Sequence, residues 1–250
     1  MRFDILTLFP RFFDSPLTQS IIGRAIKKGV IDVRVHNIRD YAADKHRTTD
    51  DAPYGGGCGM ILKVTPVVRA IESIKGELRQ KKGKKGENFT PVVLATPQGA
   101  PLNHKMAQEL SRFERIIIVC GRYEGVDERI RAHVDREISI GDYIVTGGEI
   151  PALALIDCVG RFIPGVLGDI DSSMTESFAA GLLEYPQYTR PRVFREMRVP
   201  DVLLSGNHLE IERWRRKESI GRTLERRPDL LKMADITDED KKIIKELKGG

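Results

Sequence analysis

PVVLATPQGAPLNHKMAQELSRFERIIIVCGRYEG, residues 91–125, holds two short runs rich in β-branched residues, PVVLAT and RIIIVC, with a helical pattern, NHKMAQELSRF, between them. Strand, crossover helix and strand imply two parallel strands in one sheet. The same alternation runs upstream. FDILTL (3–8) and IDVRVHN (31–37) read as strands, and PLTQSIIGRAIKKG (16–29) and VTPVVRAIESIKGEL (64–78) as helices, so the first half has the order βαβαβαβ. The fold class is therefore α/β, a mostly parallel sheet with helices on its faces.

In such sheets ligands gather beyond the carboxyl ends of the strands. The loops there are TPQGAPL after VVLA, GRYEGVDERI after IIIVC, and TGGEIP after a strand-like run, Tyr143–Val145; the last leads into an apolar helix that ends on Arg161. All three carry glycine, and together they suit an adenosine-like ligand held by main-chain hydrogen bonds. On this reading Gly147 and Gly148 lack side chains because the ligand approaches the backbone there. The alternative is that these glycines only turn the chain. No Gly-x-x-x-x-Gly-Lys-Ser/Thr occurs, and no Gly-x-Gly-x-x-Gly follows a strand, so neither a P-loop nor the usual dinucleotide fingerprint is present.

Size and composition bound the rest. With 250 residues, 40% hydrophobic and 31% charged, the chain suits one or two globular domains. No apolar run reaches the length of a membrane span, and MRFDILTLFPRFF, with Asp4 inside it, reads as a first strand; no membrane association and a cytoplasmic location are expected. Cys58, Cys120 and Cys158 are too scattered for a disulfide framework or a Cys-x-x-Cys site, and His36, His46, His104, His133 and His208 lack ligand spacing, so no protein metal site is assigned. A net charge of +5 says little by itself. The Lys-rich run IKGELRQKKGKKGENF (74–89) reads as a solvated hairpin or helix end. HLEIERWRRKESIGRTLERRPDLLK (208–232) sets arginines around the only tryptophan, with Leu209, Trp214, Ile220 and Leu224 as an inward face. It is either a phosphate-binding surface or a solvated helix face. Past Gly165 the polar, proline-ended VLGDIDSSMTESFAAGLLEYPQYTRP (166–191) reads as a linker, and the remainder as short helices, the last capped by Thr237.

FDILTLFP (3–10), KHRTTDDAPYGGGCGM (45–60), CGRYEGVDERI (120–130), SIGDYIVTGGEIPALALID (139–157), RFIPGVLG (161–168), YPQYTRP (185–191) and VPDVLLSGNHLEIERWR (199–215), in this order and over essentially the whole chain, resemble the bacterial tRNA (guanine-N1)-methyltransferases of the SPOUT superfamily. The resemblance implies a deep trefoil knot in the α/β domain and transfer of a methyl group from S-adenosyl-L-methionine to N1 of guanosine 37, immediately 3′ to the anticodon, in support of reading-frame maintenance. It implies a donor-binding catalytic domain over 1–165, a flexible linker over 166–177, and a helical tRNA-binding domain over 178–250. A homodimer with sites shared between subunits is implied as well, as is help from magnesium, for which no ligand is assignable.

Residue by residue, the resemblance places Thr96 and Pro97 beside the adenine, Gly121 near the ribose and methionine part, and Ile140, Gly141, Asp142, Tyr143, Ile144 and Val145 as backbone contacts. Gly147, Gly148 and Pro151 complete the pocket wall. Arg47 and the Gly55–Gly59 run, Gly57 included, are implied substrate contacts, Arg215, Arg216 and Arg222 implied phosphate contacts. Glu124 is implied to support the site, although by itself it reads as a structural ion pair with Arg122 or Arg129. Guanine N1 carries a proton at neutral pH, so the reaction needs a base to remove it and a cation to stabilise charge growing on O6. Arg161 matches the family's catalytic arginine. The family's base is an aspartate just before Ser-Phe, and here that position is Glu176, a carboxylate one methylene longer. Asp169 and Asp171 are alternatives. This departure keeps a noncatalytic RNA-binding relative in play, against which the intact donor loops and Arg161 weigh.

Overall fold

Five parallel strands form the sheet of the computed structural model, in the order β2-β1-β6-β5-β7. They are β1 (Arg2–Thr7), β2 (Asp32–Asn37), β5 (Val92–Pro101), β6 (Arg115–Cys120) and β7 (Arg136–Ser139). Two-residue strands β3 (Asp50–Asp51) and β4 (Ile61–Leu62) pair separately. The structure describes residues 1–82, 89–168 and 176–249, which fall in two compact units, Met1–Gly168 and Asp169–Gly250.

β6 is buried at every position, as a central parallel strand covered on both faces must be. Alternation divides its residues between two cores. Ile116, Ile118 and Cys120 join Phe3 and Ile5 against Ile22 and Ala25 of α1 (Ser20–Lys27), Ala107 and Leu110 of α3 (His104–Leu110), and Leu155 and Val159 of α4 (Glu149–Gly160). Ile117 and Val119 join Leu6 and Leu94 on the opposite face, against Val67, Ala70, Ile71 and Ile74 of α2 (Val64–Lys82). The apolar spacing of α2 is thus the helical period read from the sequence, and the helix continues to Lys82; residues 83–88 of the Lys-rich run lie outside the described residues.

One buried charge cluster stitches the sheet. Asp4 is fully buried and accepts hydrogen bonds from Arg115 Nε at 2.5 Å and Arg2 Nη2 at 2.6 Å, with His36 Nε2 at 2.8 Å. Burial alone would raise its pKa, but hydrogen bonds from His36, Arg115 and Arg2 outweigh that and hold the carboxyl down to about 2.

The strand expected at Tyr143–Val145 is absent. The fifth strand is instead Arg136–Ser139, and residues 140–148 form the loop leading to α4. Tyr143 and Ile144 are 56% and 81% exposed, so their β propensity meets no neighbouring strand to pair with. A second irregularity lies in β5, where Ala95 and Ala100 both face Ile138, so that Thr96–Gly99 are looped out of the ladder.

Within the second unit, α5 (His208–Arg226) packs on α6 (Asp238–Gly249). Thr237 caps α6: its Oγ1 accepts from Asp240 N at 3.2 Å while Asp240 Oδ2 accepts from Thr237 N at 2.9 Å, a reciprocal capping box. The buried face of α5 is Ser219, Ile220 and Thr223; Leu209, expected inward, is 70% exposed because it sits in the first turn, away from these buried positions. This unit also contains a short hairpin, β8 (Val193–Phe194) with β9 (Met197–Arg198), which a purely helical reading omits. Most of the expected linker, 169–175, lies outside the described residues, as do Asp169 and Asp171.

Candidate active site

The loops after β5, β6 and β7 converge on a cavity of 430 Å³ at the carboxyl ends of the strands, where a parallel sheet binds its ligands. Thr96 and Pro97 line it from the looped-out segment of β5, and Gly121 and Glu124 from the loop after β6. Ile140, Gly141, Tyr143, Ile144 and Val145 line it from the loop after β7, and Gly147, Gly148 and Pro151 from the start of α4. Asp142 is exposed and lies in that same loop, but it is not part of the lining. Gln98, Glu128 and Arg131 line the cavity too; Arg131 bonds to Glu137, Gln98 and Glu128 and so ties the segment after β6 to β5 and β7.

Of the two glycines at the start of α4, Gly148 is required by backbone packing, and Gly147 lies against two side chains. A Cβ on Gly148 would lie 2.5 Å from Cys120 Cα and 2.8 Å from Gly121 N, and Gly148 N donates to Gly121 O at 2.8 Å. A Cβ on Gly147 would strike Arg122 Nε and lie 2.5 Å from Glu149 Oε2. Packing therefore suffices to exclude a side chain at Gly148, alongside the approach of a ligand read from the sequence. The end of β6 supplies that packing, by pressing against the first turn of α4.

A buried network that sequence reading passed over holds this junction. Glu149, 1% exposed at the first position of α4, accepts from Thr7 Oγ1 at 2.7 Å and from Arg122 Nε at 3.1 Å. Arg122 also donates to Thr146 O at 3.0 Å and lies 4.2 Å over the Phe9 ring. An acid just inside a helix start was the available signal, since a carboxylate there is favoured by the helix dipole. Burial, reinforced by the charge of Glu149, pushes the Cys120 thiol well above its ordinary value, and burial with Asp157 raises that of Cys158. Neither thiol is poised as a nucleophile.

Glu124 is not in the ion pair its neighbours suggested. Arg122 is taken by Glu149 and Arg129 by Asp127 at 2.7 Å, while the Glu124 side chain lies against Gly59, where a Cβ would meet its Oε1 at 2.7 Å. Glu124 N donates to Met60 O, and Leu62 N to Gly125 O, so the glycine-rich loop ending at β4 is bound to the loop after β6. Gly57 lies in that loop at φ +132°, and Tyr54 beside it is wholly exposed. Arg47 is exposed and pairs with Asp40 at 3.1 Å.

The remaining predicted residues lie elsewhere. Arg161 is half-buried at the carboxyl end of α4 and is not in the cavity lining. Glu176 belongs to the second unit, half-buried, its carbonyl accepting from Ala179 N. On α5 the three arginines differ: Arg215 lies 4.8 Å over the Tyr185 ring, Arg222 is half-buried, and Arg216 is engaged by Asp240 through two hydrogen bonds, 2.7 and 2.9 Å. Among the described residues no cluster of histidine, cysteine and acidic side chains could hold a metal ion, and no helix is long and apolar enough to cross a membrane.

Known proteins are similar to this chain in sequence over nearly its whole length. A tRNA (guanine-N(1)-)-methyltransferase of Geobacter sp. (strain M21) is 57% identical over 248 residues, 99% of this chain and 96% of its own. Enzymes of the same name from Citrifermentans bemidjiense and Dictyoglomus turgidum are 56% and 51% identical, each over 99% of this chain and 96% and 97% of their own lengths. The family model described as tRNA (Guanine-1)-methyltransferase TrmD matches residues 1–233, and with this coverage the chain belongs to that family.

Proposed function

We propose that the protein methylates N1 of guanosine 37 in tRNA, with S-adenosylmethionine as methyl donor and reading-frame maintenance as the benefit. The observation that carries this is the family match over residues 1–233, joined to a cavity built from the three loops that follow β5, β6 and β7. As a member of the family the chain is a tRNA (guanine-N1)-methyltransferase; a noncatalytic binding relative is not favoured.

The residues present fit the donor. Five glycines line the cavity, leaving backbone open to a nucleoside, Thr96 and Pro97 wall one side, and the exposed carboxylate of Glu128 stands at the rim. When bound, S-adenosylmethionine supplies an electrophilic methyl group on a sulfonium. The chain's own residues must then deprotonate guanine N1 as its new bond to carbon forms, and stabilise the charge that grows on O6. We assign the proton to the carboxylate of Glu176 and the charge stabilisation to Arg161.

The position of Arg161 supports a shared site. It follows Glu149 by twelve residues of helix, about 18 Å along the axis, beyond the reach of its own side chain to the cavity beside Gly148. A second copy supplying Arg161 and Glu176 resolves this, so the functional form is a homodimer whose sites each draw on two chains. We further assign the knot to the passage of α4 beside the loop after β6, tRNA binding to 178–250, and the cytoplasm as the place of action.

The test is transfer of labelled methyl to a transcript with guanosine 37 and to one with adenosine there, with Glu176→Gln as a further arm. Label as 1-methylguanosine in the first transcript alone, lost in the variant, supports both reaction and base. Label surviving in the variant moves the base to Asp169 or Asp171, and absence of label in the parent overturns the reading.

A further inference from the structure

We propose that the β8–β9 hairpin of the second unit is an RNA-contacting arm that stacks an unpaired tRNA base on Phe194 and grips the adjoining phosphates with its arginines. This rests on the tRNA reading above and adds to it an element outside the arginine-bearing helix α5.

Residues 190–200, RPRVFREMRVP, contain four arginines and one glutamate. Every arginine is exposed, and among the described residues Arg190, Arg192, Arg195 and Arg198 enter no ion pair. Three arginines elsewhere in this unit are matched to acids: Arg216 to Asp240, Arg226 to Glu225 and Arg227 to Asp229. The hairpin therefore holds an uncompensated positive charge of the kind a phosphate backbone neutralises.

Its apolar residues are also unspent. Phe194 is 56% exposed and Met197 66% exposed, and the two face each other across the ladder. Cross-strand partners share a face, and Arg192, whose carbonyl accepts from Val199 N, falls on that same face by alternation. At the tip Arg195 has φ +56°, a left-handed conformation that a side chain rarely adopts, and its guanidinium lies 5.4 Å over the Phe194 ring. An aromatic face flanked by arginines is the pattern that binds single-stranded nucleic acid, because every base has a face to stack and phosphates follow the guanidinium forks.

The surface continues toward α5. Tyr188, just before the hairpin, is 49% exposed with its ring centroid 6.4 Å from that of Trp214, and Arg215 covers Tyr185. Aromatic and arginine side chains thus meet both on the hairpin and where the segment before it packs on the helix. The alternative occupant, a second copy of this chain, would need carboxylates to answer the arginines.

The experiment uses the full chain and a tRNA transcript with guanosine 37. Binding is measured across a salt series for the parent, Phe194→Ala, the triple variant Arg192→Ala/Arg195→Ala/Arg198→Ala, and the same triple to lysine. Donor binding is followed by calorimetry and mass by ultracentrifugation. The triple alanine variant is expected to lower the slope of log K against log salt by about two, and the lysine variant to keep it. Phe194→Ala is expected to weaken binding roughly tenfold at unchanged slope, with donor affinity and mass as in the parent. Parental tRNA affinity and slope in both alanine variants overturn the proposal. So does weakening that tracks a fall in mass, which gives the hairpin to the second copy. Failure of the underlying tRNA reading is separate, since it appears as absence of methyl transfer in the parent.

Discussion

Gly148→Ala tests whether the end of β6 and the start of α4 form one rigid wall of the cavity. The added Cβ would meet Cys120 Cα at 2.5 Å, Gly121 N at 2.8 Å and Cys120 C at 2.9 Å, all backbone atoms of a buried strand end that no rotamer change can move. Ordinary contact needs 3.4 Å or more, so strand or helix must shift by roughly 1 Å, a misplacement on the order of a hundredfold in rate when it falls on a reacting geometry. Overpacking of this kind costs about 2 kcal/mol, which for a chain of this size lowers Tm by roughly 4–8 °C. Gly76→Ala is the control. Its Cβ would meet nothing within 4 Å inside α2, so it gains about 0.5–1 kcal/mol from helix propensity and raises Tm slightly. Thermal denaturation and calorimetric titration with S-adenosylhomocysteine, the demethylated donor, read both effects. Gly148→Ala with parental Tm would refute the packing account, and a fall in donor affinity at parental Tm would return the glycine to a ligand-contact role.

Acid titration addresses Asp4. Its folded pKa, about 2, lies below the unfolded value of about 3.9, so its contribution is complete above that value and is lost as pH falls from about 4 through 2. The shift corresponds to roughly 2–3 kcal/mol, seen as an acid limb in urea midpoints; Asp4→Asn should remove that limb and, by stranding the buried Arg115, lower stability at neutral pH by roughly 3–5 kcal/mol. On α5, Arg216→Ala should destabilise the second unit by roughly 2 kcal/mol through loss of its paired hydrogen bonds to Asp240, while Arg215→Ala leaves Tm near parental and weakens tRNA binding. Equal thermal effects in the two would refute this division. Arg161→Ala should reduce turnover while leaving donor affinity unchanged, and mixing it with Gly148→Ala should restore part of the activity through mixed dimers. No recovery on mixing would confine the site to one chain.

What could be read from the sequence was set by how locally each feature is determined. β6 and the buried faces of α2 and α3 were legible because apolar period and β-branching act within a few residues, and their burial on both sides of a parallel sheet amplifies the signal. The loops after β5 and β6 were legible for the same reason, being what remains when strands and helices are marked off. Tyr143–Val145 misled because its residues favour pleated backbone, whereas its conformation is decided by where Ser139 leaves the sheet and Gly148 must meet Cys120, two constraints separated in the chain. The partner of Arg216 was hidden in the same way: beside other guanidiniums on a helix it reads as a phosphate contact, and Asp240, which folds against it, lies twenty-four residues on. The Thr7–Glu149–Arg122 network spans 142 residues between hydroxyl and carboxylate, and no local pattern encodes such a pairing. Yet that network fixes the cavity wall. The features that decide a ligand site in this protein are contacts between strand ends, and their partners become neighbours only once the sheet has formed. Substitutions at Thr7 or Glu149, neither of which lines the cavity, should therefore act on donor binding through the position of Gly147 and Gly148.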